Sequence, residues 1–291
     1  MNNKEITIGN IIPMIKSLKR SFTEREKMVA ELVLKQPNQV IYSSITDVAE
    51  MAGVGDATVI RFCRNIGFKG YHGFKMALAQ ELSLNSSNTV ADYTEEIQSG
   101  DSMEIVIQKT LNSSIAALQD TISLINHESV TQIVKAMKEG SRIHFYGVGV
   151  SGIIALDAKY RFMRIGLDTD SYNDGHTMAM DASLTGQRDL VIGISHSGST
   201  RDTVEALRIA RETGAKTVCI THHARSPITK FADVVLLTGS KEGPLQGGAF
   251  TTKISLMFVI EILYEEFFYN YREDSMQNKK KTSHAISDKL Y

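Results

Sequence analysis

Four short apolar runs, 142–147 (RIHFYG), 190–194 (LVIGI), 217–220 (TVCI) and 233–237 (DVVLL), mark the second half of the chain, with a weaker one near 167–171. Between them lie stretches with helical spacing, at about 151–165, 176–184, 200–213 and 250–269. Strands that are apolar throughout need cover on both faces, and intervening helices supply it. The alternation therefore predicts a parallel sheet flanked by helices, an α/β domain of three layers with a flavodoxin-like strand order. A sheet of that kind places its ligand site outside the carboxyl ends of the strands, where strand order reverses.

The first half reads differently. Residues 10–82 have helical spacing throughout, punctuated by Pro37 and the segment around Gly53 to Gly55. Residues 83–101, SLNSSNTVADYTEEIQSGD, lose apolar periodicity and gain Ser, Asn and Asp, as a linker does. The expected organisation is a helical domain over 1–82, a linker over 83–101, an α/β domain with a leading helix over 102–271, and a polar tail over 272–291. The leading helix carries Leu111, Ile115, Leu118, Ile122 and Ile125 in one stripe, expected to pack on its own domain, with a second copy as the alternative. The tail, with Lys279, Lys280 and Lys281, is expected to be solvated and frayed.

Charge separates the halves weakly. Residues 1–85 hold 11 Lys and Arg against 8 Asp and Glu, a net +3; the remainder holds 21 against 25, a net −4. A mildly basic head on an acidic body is compatible with nucleic-acid binding by the head. Cys63 and Cys219 sit in apolar patterns, as two buried, reduced thiols would. No apolar run approaches a membrane span and no signal-peptide pattern opens the chain, so the expected compartment is the cytoplasm, with no membrane partner.

The segment SSITDVAEMAGVGDATVIRFCRNIGFKGYHGFK, residues 43–75, has the pattern of two short helices around a glycine turn. Ser44, with Asp47 three positions on, can cap a helix over 45–51 whose Ile45, Val48, Ala49 and Met51 face inward. Gly53 permits a tight helix exit. A second helix from Asp56 to about Ile66 would bury Val59, Ile60 and Cys63. This is the helix-turn-helix arrangement. On DNA, Asp56, Ala57, Thr58 and Arg61 would lie in the major groove, Arg61 at a guanine edge and Thr58 at a phosphate or thymine methyl. Arg64, Lys69, His72 and Lys75 would sit near the phosphate backbone. A helical bundle that pairs with another protein fits the same spacing.

The same segment resembles the N-terminal domain of RpiR-type bacterial transcriptional regulators. The matching residues are Ala49, Ala52-Gly53-Val54, Ala57-Thr58-Val59, Arg61-Phe62, Gly67-Phe68, Gly70-Tyr71 and Phe74-Lys75. One departure is Gly55, where that family has a helix-capping serine; glycine is tolerated at an N-cap at small cost.

In the second half, FYGVGVSGIIALDAKYRF from Phe145 offers two readings. Gly147, Gly149 and Gly152 fit G-x-G-x-x-G, with Asp168 or Asp170 at about the right distance for a ribose hydroxyl. Gly147, Gly149 and Ser151 equally fit G-x-G-x-S, a phosphate cradle. The segment VIGISHSGSTRDTVEALRIA favours the cradle: Ser195, Ser197, Gly198 and Thr200 follow a strand and open a helix. Hydroxyls, a glycine and helix-terminal N–H groups make an anion socket, and a nicotinamide domain has no need of this second one. Serines that merely cap a helix are the plainer alternative.

G-x-G-x-S followed by S-x-S-G-x-T resembles the SIS (sugar isomerase) domain over roughly 125–270. A helix-turn-helix followed by a SIS domain is the RpiR-type architecture. The resemblance implies phosphosugar contacts at Ser151, Ser195, Ser197 and Thr200, with Gly149, His196 and Gly198 in the same loops. Glu242, Gln246, Thr251 and Lys253 fall in or beside the Gly-rich segment 239–252, a candidate lid. An isomerase would need a base, and His196, His176 and Glu242 are candidates, none fixed by its surroundings in the sequence. His222 and His223 lack spaced partners for a metal, so neither metal nor cofactor is expected.

The expectation is a regulator rather than an enzyme. A phosphosugar effector alters binding to a double-stranded DNA operator, controlling carbohydrate or amino-sugar metabolism, in a homodimer or homotetramer. A sugar-phosphate (aldose–ketose) isomerase is the alternative, and an NAD-dependent oxidoreductase a third.

Overall fold

The computed structural model describes residues 11–19, 21–85, 97–239 and 248–289. The chain forms two compact units, an N-terminal one ending at Lys109 and a C-terminal one beginning at Thr110.

The N-terminal unit contains six helices among its described residues before position 86: α1 (Ile11–Leu18), α2 (Glu24–Lys35), α3 (Pro37–Tyr42), α4 (Ile45–Met51), α5 (Asp56–Asn65) and α6 (Tyr71–Asn85). Polar contacts set their ends. Thr23 and Glu26 form a capping box at α2, and Ser44 and Asp47 form one at α4, as expected. Glu81, buried on α6, accepts from the first amides of α1, Ile11 and Ile12, where the helix lacks partners of its own. The core is aromatic, with Phe62 against both Phe22 and Phe74. Ile45, Val48, Ala49, Val59 and Cys63 are buried in it as expected. Met51, expected inward, is 37% exposed, and Phe62 takes the centre of the buried face of α5.

Helix α7 (Met103–Leu124) crosses from the first unit into the second. The C-terminal unit continues with α8 (His127–Glu139), β1 (Ile143–Tyr146), α9 (Val150–Arg164), β2 (Thr169–Tyr172), α10 (Gly175–Leu184), β3 (Leu190–Ile194) and α11 (Arg201–Glu212). It then runs through β4 (Lys216–Thr221), β5 (Val234–Leu237), α12 (Phe250–Asn270) and α13 (Arg272–His284). All five strands are parallel, in the order β2-β1-β3-β4-β5. This is the flavodoxin-like order, with its switch point between β1 and β3. Strand residues alternate between two cores. Phe145, Ile192, Ile194, Val218 and Ile220 meet residues of α8, α9 and α12. Tyr146, Val191 and Cys219 meet residues of α10 and α11. Burial pushes both cysteine thiols up to about 12, so they stay protonated.

Two expectations fail here. The end of the chain is not frayed over 272–284: α13 buries Ser275, and Asn278 Nδ2 and Thr282 Oγ1 donate to the carbonyls of Ile165 and Arg164 at 3.2 and 3.0 Å. The apolar stripe of α7 packs on its own domain only in part: Ile125 joins the core and Leu118 is half-buried. Leu111, Ile115 and Ile122 are exposed, and the helix is held through Ala117 and Thr121 instead. Thr121 Oγ1 accepts from Gly239 N–H and Ala117 O accepts from Ser255 Oγ, contacts that need small residues.

Candidate functional site

In the N-terminal unit, α5 presents Ala57, Arg61 and Arg64 outward on one stripe, spaced four and three, while Thr58, Val59, Phe62 and Cys63 are buried behind them. Lys69 and His72 are also exposed. Three expected contacts are placed differently. Thr58 is only 4% exposed, because it shares the buried face with Phe62 one turn on; its Oγ1 accepts from Arg61 Nη2 at 3.3 Å. The hydroxyl therefore orients Arg61 rather than meeting a groove itself. Asp56 is half-buried and accepts from Thr46 Oγ1 at 3.4 Å, tying α5 to α4. Lys75 is half-buried, and its ammonium donates to Ser43 O at 3.1 Å.

In the C-terminal unit, the register Tyr146↔Gly193 sets the ends of β1 and β3 side by side, so the loops that follow flank the switch point. Helices α9, α10 and α11 all start at this edge of the sheet, each presenting the positive end of its dipole. In the first loop, Gly149 caps α9 at φ 61°, exposed, with open space where a side chain would stand. Gly147 and Gly152 serve a close approach: a β-carbon on Gly147 would stand 2.7 Å from Ser151 backbone, and one on Gly152 2.8 Å from Gly147 O. Ser151, in the first turn of α9, is half-buried.

The second loop is the turn after β3. Ser195 is buried, its Oγ donating to Thr200 Oγ1 at 3.2 Å. Ser197 is exposed and Thr200 half-buried. Gly198 turns the chain at φ 61°, and its N–H donates to Ser195 O at 2.9 Å. Ser199 N–H lies 3.3 Å from Ser197 Oγ. The Thr200 side chain makes no cap hydrogen bond at α11, so helix capping does not account for these hydroxyls. The two sequence-predicted loops thus come to one edge of the sheet, each with a left-handed glycine, hydroxyls and a helix N-terminus.

The other predicted residues divide. His196 is half-buried in the turn, its ring stacked on His222 at 5.2 Å, with His223 edge-on to His222. His222 Nδ1 donates to Thr238 O at 2.7 Å. His176 is exposed in the first turn of α10, and Asp174 caps that helix by accepting from the amides of His176 and Thr177. Thr251 and Lys253 are half-buried near the start of α12, and Glu242 and Gln246 lie outside the described residues. Both acids weighed for the dinucleotide alternative are paired with basic side chains. Asp170 Oδ1 holds Lys159 Nζ at 2.6 Å, and Asp168 pairs with Arg142 at 3.3 Å. Among the described residues no cluster of three or more His, Cys, Asp or Glu could hold a metal.

Sequence reasoning missed the residues behind the turn. Thr221 at the end of β4 and Ser226 beyond it are both buried, and both crowd Gly198. A hydroxyl at a strand end gives no sequence signal of its own. Asp174 was more legible, since Asp followed by Gly at a helix start is an N-cap pattern.

Comparison with known proteins assigns a family to each half of the chain. Residues 9–85 match the helix-turn-helix domain of the rpiR family, and residues 136–265 match the SIS domain. An uncharacterized HTH-type transcriptional regulator of Haemophilus influenzae is 38% identical over 278 residues, 96% of each chain. The chain belongs to the RpiR family of transcriptional regulators. The family's RpiR from Escherichia coli K12 is 28% identical over 96% of this chain and 92% of its own. Among solved structures, Vibrio vulnificus NanR complexed with ManNAc-6P superposes with a TM-score of 0.85 at 30% identity, covering 97% of this chain and 99% of that one. As an RpiR-family chain, this one has a helix-turn-helix head and a SIS body, the order expected from its motifs. No helix among the described residues is long and apolar enough to cross a membrane.

Proposed function

We propose that this regulator senses a phosphorylated sugar in the crevice between the 147–151 loop and the 195–200 turn, and that occupancy changes the affinity of the head for operator DNA. The observation that carries the reading is the 195–200 turn: hydroxyls beside a left-handed glycine at a helix start, at the switch point of a parallel sheet. Gly149 and Ser151 complete the cradle from the other side. The NanR structure holds ManNAc-6P, which makes amino-sugar 6-phosphates the first compounds to try and genes of amino-sugar metabolism the first candidates for control. Ala57 and Arg61 face the major groove, and Arg64, Lys69 and His72 the phosphates. The working form is a homodimer or a larger even assembly, since paired heads match paired half-sites. The exposed stripe of Leu111, Ile115 and Ile122 supports assembly.

The test is calorimetric titration of the full chain with ManNAc-6P, glucosamine 6-phosphate, glucose 6-phosphate and their unphosphorylated sugars. Saturable binding is expected from one or more phosphorylated compounds and from none of the others, and Ser197→Ala should weaken it roughly tenfold. Product accumulating in the same mixtures would favour the isomerase alternative. Equal binding of sugars with and without phosphate would remove the reading.

A further inference from the structure

The anion-binding turn is held from behind. Thr221 Oγ1 donates to His196 O at 3.1 Å, and the His222 amide donates to the same oxygen at 2.9 Å. The Ile228 amide donates to Gly198 O at 3.0 Å. These two carbonyls of the turn are thereby drawn toward the end of β4 and the segment after it. A planar trans peptide points its N–H opposite to its C=O. Fixing His196 O inward therefore directs the Ser197 amide outward, and fixing Gly198 O inward directs the Ser199 amide outward. The Ser199 amide does lie on the outer side, where it donates to Ser197 Oγ at 3.3 Å, and Ser197 and Ser199 are both exposed. The outward Ser197 amide and the Ser197 hydroxyl, whose oxygen the Ser199 amide engages so that its proton is left to face an anion, form a concave anion seat.

Thr221 is the side chain in this arrangement. It is fully buried, and its hydroxyl stands 2.9 Å from where a β-carbon on Gly198 would sit. Ser226 fills the rest of that space, its Oγ donating to His223 O at 3.1 Å, so nothing larger than glycine fits at 198. We infer that Thr221 is a positioning residue for phosphate: it touches no ligand but holds the turn with its amides aimed at the crevice. The inference rests on the phosphosugar reading above and adds a residue on β4 that the loop motifs do not contain.

The experiment titrates the full chain with inorganic phosphate and with ManNAc-6P, comparing wild type, Thr221→Val, Thr221→Ser and, as a contact control, Ser197→Ala. Valine keeps the shape and removes the donor. Thr221→Val should weaken both probes by the same factor, about tenfold, with thermal unfolding shifted by less than about 4 °C. Thr221→Ser should return both affinities to within about twofold of wild type, because it restores the donor. Wild-type affinity in Thr221→Val, alongside a loss in Ser197→Ala, would overturn the positioning role and leave the phosphosugar reading standing. So would unequal losses for the two probes, which would place the effect at the sugar. A larger drop in unfolding temperature without rescue by serine would make the role structural only. If wild type binds neither probe, the same variants are compared with whichever sugar phosphate binds in the titration above, and if none of those binds, both this inference and the reading beneath it fall.

Discussion

A methyl group on Gly198 would run into Ser226 Oγ, and a side chain rarely adopts the φ of 61° found there. Gly198→Ala should therefore weaken phosphate binding at least ~tenfold in calorimetry, while the head still binds DNA. A second residue-scale prediction concerns Asp181 on α10, which accepts from Tyr146 OH at 2.6 Å and lies 2.7 Å from His144 Nδ1 on β1. Burial pushes this carboxyl up, but the hydrogen bonds from His144 and Tyr146 and the charge of His144 together hold it below the ordinary value of 3.8. A lowered folded-state value gives stability that is present above 3.8 and lost as pH falls below it. Asp181→Asn should cost about 1–3 kcal/mol at neutral pH and flatten the acid limb of the C-terminal unit's unfolding curve. A variant with an unchanged acid limb would contradict that assignment. At this scale the sequence exposed Ser195, Ser197 and Thr200 because hydroxyls clustered at a strand-to-helix turn are unusual. It hid Thr221, and it misplaced Thr58, whose side of the helix depends on a phase set by Phe62 rather than by Thr58 itself.

The strands and helices of the C-terminal unit were legible because burial imposes a period on each. A strand covered on both faces must be apolar throughout, and a helix covering it must be apolar on one side. Helix α13 escaped because its packing is polar. Lys279 reaches Tyr264 OH at 3.2 Å and lies 5.2 Å from the Phe268 ring centre, and Lys138 pairs with Asp274 at 3.1 Å. Polar side chains that bond backbone carbonyls leave no hydrophobic stripe to read. Removing residues 272–291 should lower the unfolding midpoint of the C-terminal unit by several degrees, roughly 1–3 kcal/mol, as followed by circular dichroism. A truncated chain that melts like the full one would show that these contacts add nothing. Helix α7 misled in the opposite way. Its stripe is regular, but regular spacing tells which residues share a face and not what covers it.

For the whole molecule, a sensor joined to a DNA-binding head acts through coupling between two sites, typically ~1–3 kcal/mol or roughly 5- to 150-fold in affinity. The same coupling must appear in both directions: operator DNA should change effector affinity by the factor by which effector changes operator affinity. Sedimentation of the full chain should give an even multiple of its 32.2 kDa, and a monomer at micromolar concentration would contradict paired heads. The domain order was legible because each domain carries its own local motif. The sugar and the operator were not, because hydroxyls and amides recognise phosphate wherever it is attached. The decisive measurement is fluorescence anisotropy on an operator fragment selected from genomic DNA, with and without the best-binding sugar phosphate. The account predicts at least about a fivefold effector-dependent change for wild type. It predicts that Ser197→Ala needs roughly tenfold more effector for the same change while keeping its effector-free DNA affinity, and it predicts lost DNA binding with effector binding intact for Arg61→Ala. An equal effector response in Ser197→Ala and wild type at every effector concentration would contradict it.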